Sequence, residues 1–380
     1  MIKFLTYIIK FIPVLISTAI TFVSVFPASN ERLAEEITEQ VQRIEALEEA
    51  YASNRIAPVD EASFFAGNLK EELEAGIKFN EISFLATHNS YQSESTEEIK
   101  KLYSNLSSLT FGILPENKGD FKSETLTDQL NSGIRSLEID IEVFDRDGDV
   151  SFTCMHSPNL EMTTTCYDFE LALKEIALWS ENNPDHLPIT VILEPKGFLI
   201  PMEDMKKFSI DYADEMDNAL RSTLGEKLFT PADMLRDYES FGEMREADDW
   251  CKVSDMQGKV LILLHDCGAT EKYISLDPSI KSQAMFPMLR QNDIERDCAS
   301  FIIANDPAKL LKQKDEITES KVILRTRCDS FGNAPQERFE QAMATPAHII
   351  STDYPPRTDN TAENYVVSFG NRTTVRRVVE

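Results

Sequence analysis

Positive charge is what this chain most lacks: 38 lysines and arginines stand against 65 aspartates and glutamates, a net −27 at pH 7. Nucleic-acid phosphates demand basic surface, so a nucleic-acid partner is excluded. Tight electrostatic docking to anionic membranes is disfavoured on the same ground, and a lipid substrate would have to be met by a local basic pocket. No glycine-rich loop follows any strand candidate, which removes nucleotide-cofactor readings. The six cysteines, Cys154, Cys166, Cys251, Cys267, Cys298 and Cys328, show no Cys-x-x-Cys spacing, so zinc is not expected. No internal repeat is visible. With 380 residues, one barrel of roughly 250 residues or more plus an extension fits the length.

What is present begins at the N-terminus. Lys3 and Lys10 precede an apolar run from Phe11 to Phe26, and acidic residues begin at Glu31. That is the layout of an export signal. Ser17-Thr18-Ala19 satisfies the small-residue rule for cleavage but leaves an apolar remnant, while Phe26-Pro27-Ala28 has a bulky residue where a small one is preferred. Residues 1–28 are therefore a signal peptide or a retained anchor, and the rest of the chain is exported either way. An even cysteine count behind an export signal predicts disulfides; among fifteen possible sets the expected one is Cys154–Cys166, Cys251–Cys267 and Cys298–Cys328. Residues 29–78 form an acidic helical extension, in which Leu33, Ile37, Val41, Ile44 and Leu47 recur every three or four residues. This predicts an amphipathic helix packed on the following domain; a partner-binding or dimerising coil is the alternative. The sequence does not fix the oligomeric state.

From Glu81 onward, short apolar runs alternate with helical patterns. The strand candidates are 82–87, 134–143, 150–155, 187–194, 259–264, 301–304, 322–327 and 347–352, with helices such as 167–180 and 205–224 between them. Eight strands alternating with helices predict an α/β fold, a closed (β/α)8 TIM-like barrel over 79–380 behind the N-terminal helical extension. The connection 197–257 is longer than one helix requires and should hold extra surface structure. In 134–143, Glu138, Asp140 and Glu142 alternate with Leu137, Ile139 and Ile141, so the carboxylates share one strand face. Such a face resists burial unless a cation neutralises it. Further polar residues fall at strand ends, where a barrel of this kind builds its active face: His88 and Asn89, His156, Glu194 and Lys196, His265 and Asp266, Arg325 and Arg327, Asp353 and Tyr354.

The segments Ala86-Thr87-His88-Asn89-Ser90-Tyr91 and Leu126-Thr127-Asp128-Gln129-Leu130, with Gly133-Ile134-Arg135-Ser136-Leu137-Glu138-Ile139-Asp140, resemble the calcium-dependent phosphoinositide-specific phospholipase C family. So do His156, Leu193-Glu194-Pro195-Lys196, Arg325-Thr326-Arg327 and Ser351-Thr352-Asp353-Tyr354. The resemblance spans 79–357 and looks like the compact secreted type, a PLC-like phosphodiesterase barrel. It implies Ca2+ as cofactor, with Asn89, Glu138, Asp140 and Glu194 as ligands, an oxygen set suited to a hard cation. It implies His88 and His156 as the catalytic pair, one steadying the phosphorane and the other, His156, protonating the departing glycerol oxygen. Lys196, Arg325 and Arg327 would hold phosphate oxygens, and Tyr354 would stack on or bond to the inositol ring. The implied substrate is a membrane phospholipid, phosphatidylinositol or a relative, cleaved to diacylglycerol and an inositol (cyclic) phosphate.

Other readings stay open at this point. A glycerophosphodiester phosphodiesterase or sphingomyelinase D-like enzyme uses a similar barrel, and an inactive barrel would bind a headgroup or partner. Glu138 and Asp140 could pair with Arg325 and Lys196 without metal. Glu142, His186 and His348 read as structural, and His265 as structural or substrate-contacting. Asp145-Arg146-Asp147-Gly148-Asp149 is not an EF-hand, because glycine falls at the fourth position and His156 stands where the closing Glu belongs. It is a turn, with Asp-Gly supplying positive φ. Apolar residues for bilayer contact are sought in Phe111, Ile113, Leu114, Phe198, Leu199 and Ile200.

Overall fold

The computed structural model describes residues 2–110, 120–158, 162–197, 201–330, 333–356 and 365–379. The rim candidates Phe111, Ile113, Leu114, Phe198, Leu199 and Ile200 lie outside the described residues. The strands are β1 (Ile82–Thr87), β2 (Ser136–Arg146), β3 (Asp149–Cys154), β4 (Ile189–Pro195), β5 (Met205–Lys206) and β6 (Val260–Leu264). They continue as β7 (Met285–Arg290), β8 (Phe301–Ile303), β9 (Ile323–Arg327), β10 (Ile349–Thr352) and β11 (Val375–Arg377). Eight of them, in the order β1-β10-β9-β8-β7-β6-β4-β2, run parallel and close through a β1–β2 pairing. This is the expected barrel. Its seam is thin: β1 and β2 register at Ala86↔Ser136 alone, whereas β2 and β4 register at six positions from Ser136↔Thr190 to Ile141↔Pro195.

The expected set of eight strands is corrected in one place. Residues 150–155 became β3, which folds antiparallel onto the outer half of β2 and is not a barrel stave. The turn between them is the expected Asp-Gly turn, with Asp147 at φ 55° and Gly148 at φ 93°. The missing stave is β7, whose sequence Met-Phe-Pro-Met-Leu-Arg hides it because Pro287 reads as a breaker. Pro287 faces Leu264 of β6, and pairing with β8 begins only at Met288, so the absent N–H costs little. The helix expected over 205–224 is Ile210–Leu224, with 205–206 taken by β5. The long fourth connection does hold extra structure, including the short helices Pro231–Leu235 and Phe241–Glu246.

Period-two alternation fills the interior. Phe79 touches both Phe84 of β1 and Phe301 of β8 at ring distances of 6.1 and 6.5 Å, and Phe301 meets Phe286 of β7 at 5.3 Å. Phe79 thus bridges β1 and β8, which are not neighbours, so these rings meet inside the barrel. Two residues above Phe84 and Phe301 along each stave the inward positions continue toward the C-terminal mouth. At the other end, Arg135 is buried between Trp179 and Phe64 and binds Glu61. Gly133, at φ 88°, is the only residue type that fits there, since a Cβ would stand 2.5 Å from the Phe64 ring. A cavity of about 170 Å³ also opens at that end, lined by Asn80, Lys321, His348 and Arg377 among others.

The N-terminal segment is one helix, α1 (Ile2–Ala52). It carries both the expected signal-or-anchor residues and the acidic extension without a break; among the described residues, no helix is long and apolar enough to cross a membrane. The predicted stripe is only partly right. Leu33 and Ile44 are buried, but Ile37 and Val41 are 37% and 40% exposed. Glu36 and Gln40 occupy the buried face instead. Hydropathy spacing misses them because the barrel's loops offer them hydrogen bonds in place of apolar contact.

No disulfide is formed among the described residues, and all six cysteines are thiols. Cys154 and Cys166 do lie against each other, and burial, with that contact, raises the Cys154 thiol well above its usual range. In the other two expected pairs the thiols have other neighbours: Cys251 lies on Met234 and Arg236, Cys267 on Thr270, and Cys328 on Asp329 and Ser351.

Candidate active site at the barrel mouth

The mouth is built from the ends of β1, β2, β4, β9 and β10. After β1 the chain turns sharply at Asn89, which sits at φ 48°, a conformation Asn tolerates better than most residues. Gln129 props this turn, accepting from the Thr87 hydroxyl at 2.6 Å and donating to the Ser90 carbonyl at 2.7 Å. Ser90 in turn bonds the backbone of Glu138 in both directions, at 2.8 Å each. The Leu-Thr-Asp-Gln-Leu segment thus sets where Asn89 stands relative to β2.

Glu138, Asp140 and Glu194 each offer an oxygen within 4.8 Å of the others, the arrangement a cation needs. The two on β2 are buried, and Glu194 is half-buried. Asp140 receives the Tyr91 hydroxyl at 2.8 Å and Lys196 at 3.2 Å on Oδ2, but its Oδ1 is buried without a hydrogen-bond donor. Asn89 Oδ1 is likewise buried and undonated, as is Glu142 Oε1. Burial pushes the Asp140 carboxyl up to about 6 and that of Glu142 up to about 8, with the neighbouring acids adding to the rise and Lys196 opposing it. Undonated acceptors of this kind are costly unless a cation meets them. The residues present therefore fit an oxygen-seeking divalent ion. The pairings Arg325–Glu138, Lys196–Asp140 and Lys196–Glu194 also exist, the last at 2.8 Å, as the metal-free reading anticipated. They leave the orphan oxygens unanswered.

Across the mouth the surplus is of donors. Arg325, 2% exposed, reaches from β9 to Glu138 on β2, to Asn305 and to Ser351, while its Nε is buried without an acceptor. Because β9 and β2 are not adjacent, this bond crosses the interior. Burial alone would raise the Glu138 carboxyl, but Arg325, then His88, His265 and Arg327, outweigh it and hold it well below the usual range. His88 Nδ1 meets Asp353 Oδ1 at 3.1 Å, and Arg327 Nη1 meets His88 Nε2 at 3.1 Å. Arg327 Nη2 also stands 3.1 Å from Nδ1, so a guanidinium faces both ring nitrogens while the Asp353 carboxylate, which only accepts, faces Nδ1 alone. Arg327 also bonds Asp353 at 3.0 Å. Asp353 is itself fixed by Asp329, which accepts from its backbone N–H at 2.8 Å. His156 follows β3 and is near enough to Asp140 to act on its charge.

Most residues singled out from sequence therefore converge on one mouth. Tyr354 does not present an open face: it is 2% exposed, its ring packed edge-on against Tyr365 at 5.1 Å. His265 joins the field around Glu138, with its Nδ1 at 3.1 Å from the Asp266 carbonyl. His186 and His348 are structural, buried at the Ser180 and Leu324–Asn80 contacts, and burial lowers each to about 4. Sequence reasoning undervalued Asp353 and Tyr91. The first follows β10 directly and the second follows the His88-Asn89 turn, which was the available signal.

Residues 148–378 match the sequence profile of the family described as phosphoinositide phospholipase C, Ca2+-dependent. Among solved structures, a calcium-dependent phosphoinositol-specific phospholipase C from a Gram-negative Pseudomonas sp., in its apo form, is 20% identical with a TM-score of 0.52 over 79% of this chain and 95% of that one. The same enzyme in a myoinositol complex is 20% identical with a TM-score of 0.52, covering 84% and 98% of the two chains. A Ca2+-dependent phosphatidylinositol-specific phospholipase C from Streptomyces antibioticus is 16% identical with a TM-score of 0.51, covering 73% and 94%. At these identities the likeness shows the barrel fold. No curated protein matches the chain.

Proposed function

Because the chain belongs to the Ca2+-dependent phosphoinositide phospholipase C family, we propose that it cleaves phosphatidylinositol or a close relative to diacylglycerol and an inositol phosphate formed through the cyclic diester. The enzyme is of the phospholipase C type, and its family is Ca2+-dependent. The observation that carries the finer reading is the division of the mouth: undonated oxygens of Asn89 and Asp140 on one side, guanidiniums of Arg325 and Arg327 on the other.

Asn89, Glu138, Asp140 and Glu194 would hold the ion. Bound there, calcium supplies positive charge beside the inositol 2-hydroxyl and the phosphoryl oxygens. The protein's own groups move the protons. His88, whose Nδ1–H is fixed by Asp353, offers its Nε2 lone pair to the 2-hydroxyl proton as the oxygen attacks phosphorus. This departs from the role in phosphorane stabilisation that the resemblance implied, and rests on the Asp353 carboxylate facing Nδ1. Arg327 leaves that lone pair for a phosphate oxygen, and Arg325 and Lys196 hold the others. His156 protonates the glycerol oxygen as its bond to phosphorus breaks. One P–O bond forms, one breaks, and a proton passes from the inositol hydroxyl to the glycerol oxygen through the two imidazoles. Tyr354 backs the wall and is not assigned a ring-stacking role.

Export by the Lys3, Lys10 and Phe11–Phe26 segment belongs to the same proposal, since it brings the enzyme to an external lipid surface. The test is incubation of the purified protein with phosphatidylinositol, with and without a calcium chelator, followed by product identification. Cyclic inositol phosphate and diacylglycerol, formed only with calcium, support the reading; free choline or glycerophosphate from other lipids overturns it.

A further inference from the structure

Two loops carry the proposed catalytic groups. One runs from His88 to Thr96, the N-cap of the helix Glu97–Leu109. The other lies between His156 and the helix Phe169–Glu181, described at 156–158 and from Met162 to Asp168, that helix's N-cap. They touch each other through Ser93 and Thr163 and through Tyr91 and Thr165, whose backbone groups meet at 3.3 and 2.6 Å. Thr163 and Thr165 also donate their hydroxyls to the Ser93 and Tyr91 carbonyls, at 3.3 and 3.1 Å. Here α1 lies across them. Glu36, 2% exposed, accepts from the Ser93 hydroxyl on one loop and, at 2.8 Å, from the Thr164 N–H on the other. One turn on, Gln40 exchanges two bonds of 2.9 Å with the backbone of Asp168. Arg43 then reaches the Thr165 carbonyl at 2.5 Å and the buried Glu175 at 2.9 Å. A helix that only covered apolar surface would not bury a carboxylate here, because an unpaired one is expensive.

We propose that Glu36 is a positioning residue, fastening the His88 loop to the His156 loop so that the two imidazoles stand at a fixed separation across the substrate phosphate. The effect reaches the metal-side carboxylates through Tyr91, which lies between the Ser93 contact and Asp140 and donates its hydroxyl to Asp140 at 2.8 Å. The extension is then part of the active site's scaffold, and the boundary expected at residue 78 does not separate function from support. This rests on the phospholipase C reading of the mouth.

The test uses the full chain with Glu36→Ala, Glu36→Gln and Gln40→Ala. Glutamine keeps an acceptor for the Thr164 N–H and a polar contact for Ser93, whereas alanine keeps neither. With phosphatidylinositol in mixed detergent micelles, Glu36→Ala should lower kcat about 10- to 100-fold, the cost of a displacement on the order of 1 Å at reacting groups, with KM changed less than about twofold. Glu36→Gln should recover most of kcat, and Gln40→Ala should lose less than Glu36→Ala. Amide hydrogen exchange at Ser93 and at 162–166 should quicken in Glu36→Ala. An unchanged kcat beside a lowered melting temperature would overturn the proposal, as would unchanged exchange in both loops. Should Glu36→Ala not fold, Gln40→Ala carries the same kcat and exchange test. A wild-type protein inactive on every phosphoinositide would sink the functional reading, while the exchange measurement would still decide whether the loops are fastened.

Discussion

The two sides of the barrel mouth are built from the same strand ends yet are left with opposite shortfalls. On the β1–β2–β4 side, acceptors outnumber donors: Asn89 Oδ1, Asp140 Oδ1 and Glu142 Oε1 are buried with nothing donating to them. On the β9–β10 side a buried donor, Arg325 Nε, is unanswered. A buried polar network is most stable when fully satisfied, so a shortfall of one sign marks what is to be bound there. One side asks for a cation and the other for an anion, and a metal with a phosphodiester answers both.

The largest break in this contrast is on the acceptor side. Removing calcium with a chelator, or replacing Asp140 with Asn, should cost about 1000-fold or more in kcat, since the ion's charge supplies several kcal/mol at the transition state. Activity that persists in excess chelator would show that the acceptor side is not a metal site. Next come the imidazoles: His88→Ala and His156→Ala should each lose about 100- to 10,000-fold in kcat. If both leave hydrolysis unchanged, the proton-transfer assignment is wrong. A third change links the sides. Arg325→Met strips the buried Glu138 of its counter-charge and should cost about 3–5 kcal/mol of stability without calcium, with much of it restored when calcium is added. Equal destabilisation in both conditions, read from urea unfolding, would show that the two sides are independent.

The smallest effect is one of pH, away from the mouth. Burial pushes the Glu36 carboxyl up from the usual 4.5 to about 7, against the bonds from Ser93 and Thr164 and the charge of Arg32, with Glu39 adding to the rise. Between those values the folded chain keeps a proton that the unfolded chain has released. Stability therefore falls as pH rises through that window, by at most about 3 kcal/mol. Glu36→Gln has no proton to lose, so its urea midpoint should drop less between pH 5 and pH 7.5 than that of the wild type. Parallel drops would refute the assignment.

The acidic and basic sides were legible to different degrees. Period-two alternation placed Glu138 and Asp140 on one inward face, and β1 was bounded correctly at 82–87. What pattern could not show was the pairing across the interior. That Arg325 meets Glu138, or Asp353 meets His88, depends on barrel closure between residues 187 and 265 positions apart. The misassigned staves have the same origin, because a hairpin strand and a barrel strand share one local pattern, and Pro287 masks a real stave. Ile37 and Val41 were misjudged because buried Glu36 and Gln40 look like surface residues in sequence. Disulfides inferred from even cysteine count are not formed at any of the six cysteines, although Cys154 and Cys166 do stand together as expected.

The thin junction at Ala86↔Ser136 has a mechanical consequence. It is where the cylinder closes, and the proposed ligands straddle it: Asn89 caps one stave, while Glu138 and Asp140 ride on the next. An ion gripping all three would act as a rivet through that joint. The same charge that serves the chemistry would then keep the wall from parting beside the reacting phosphate, and losing it would loosen the protein first at the place where it works.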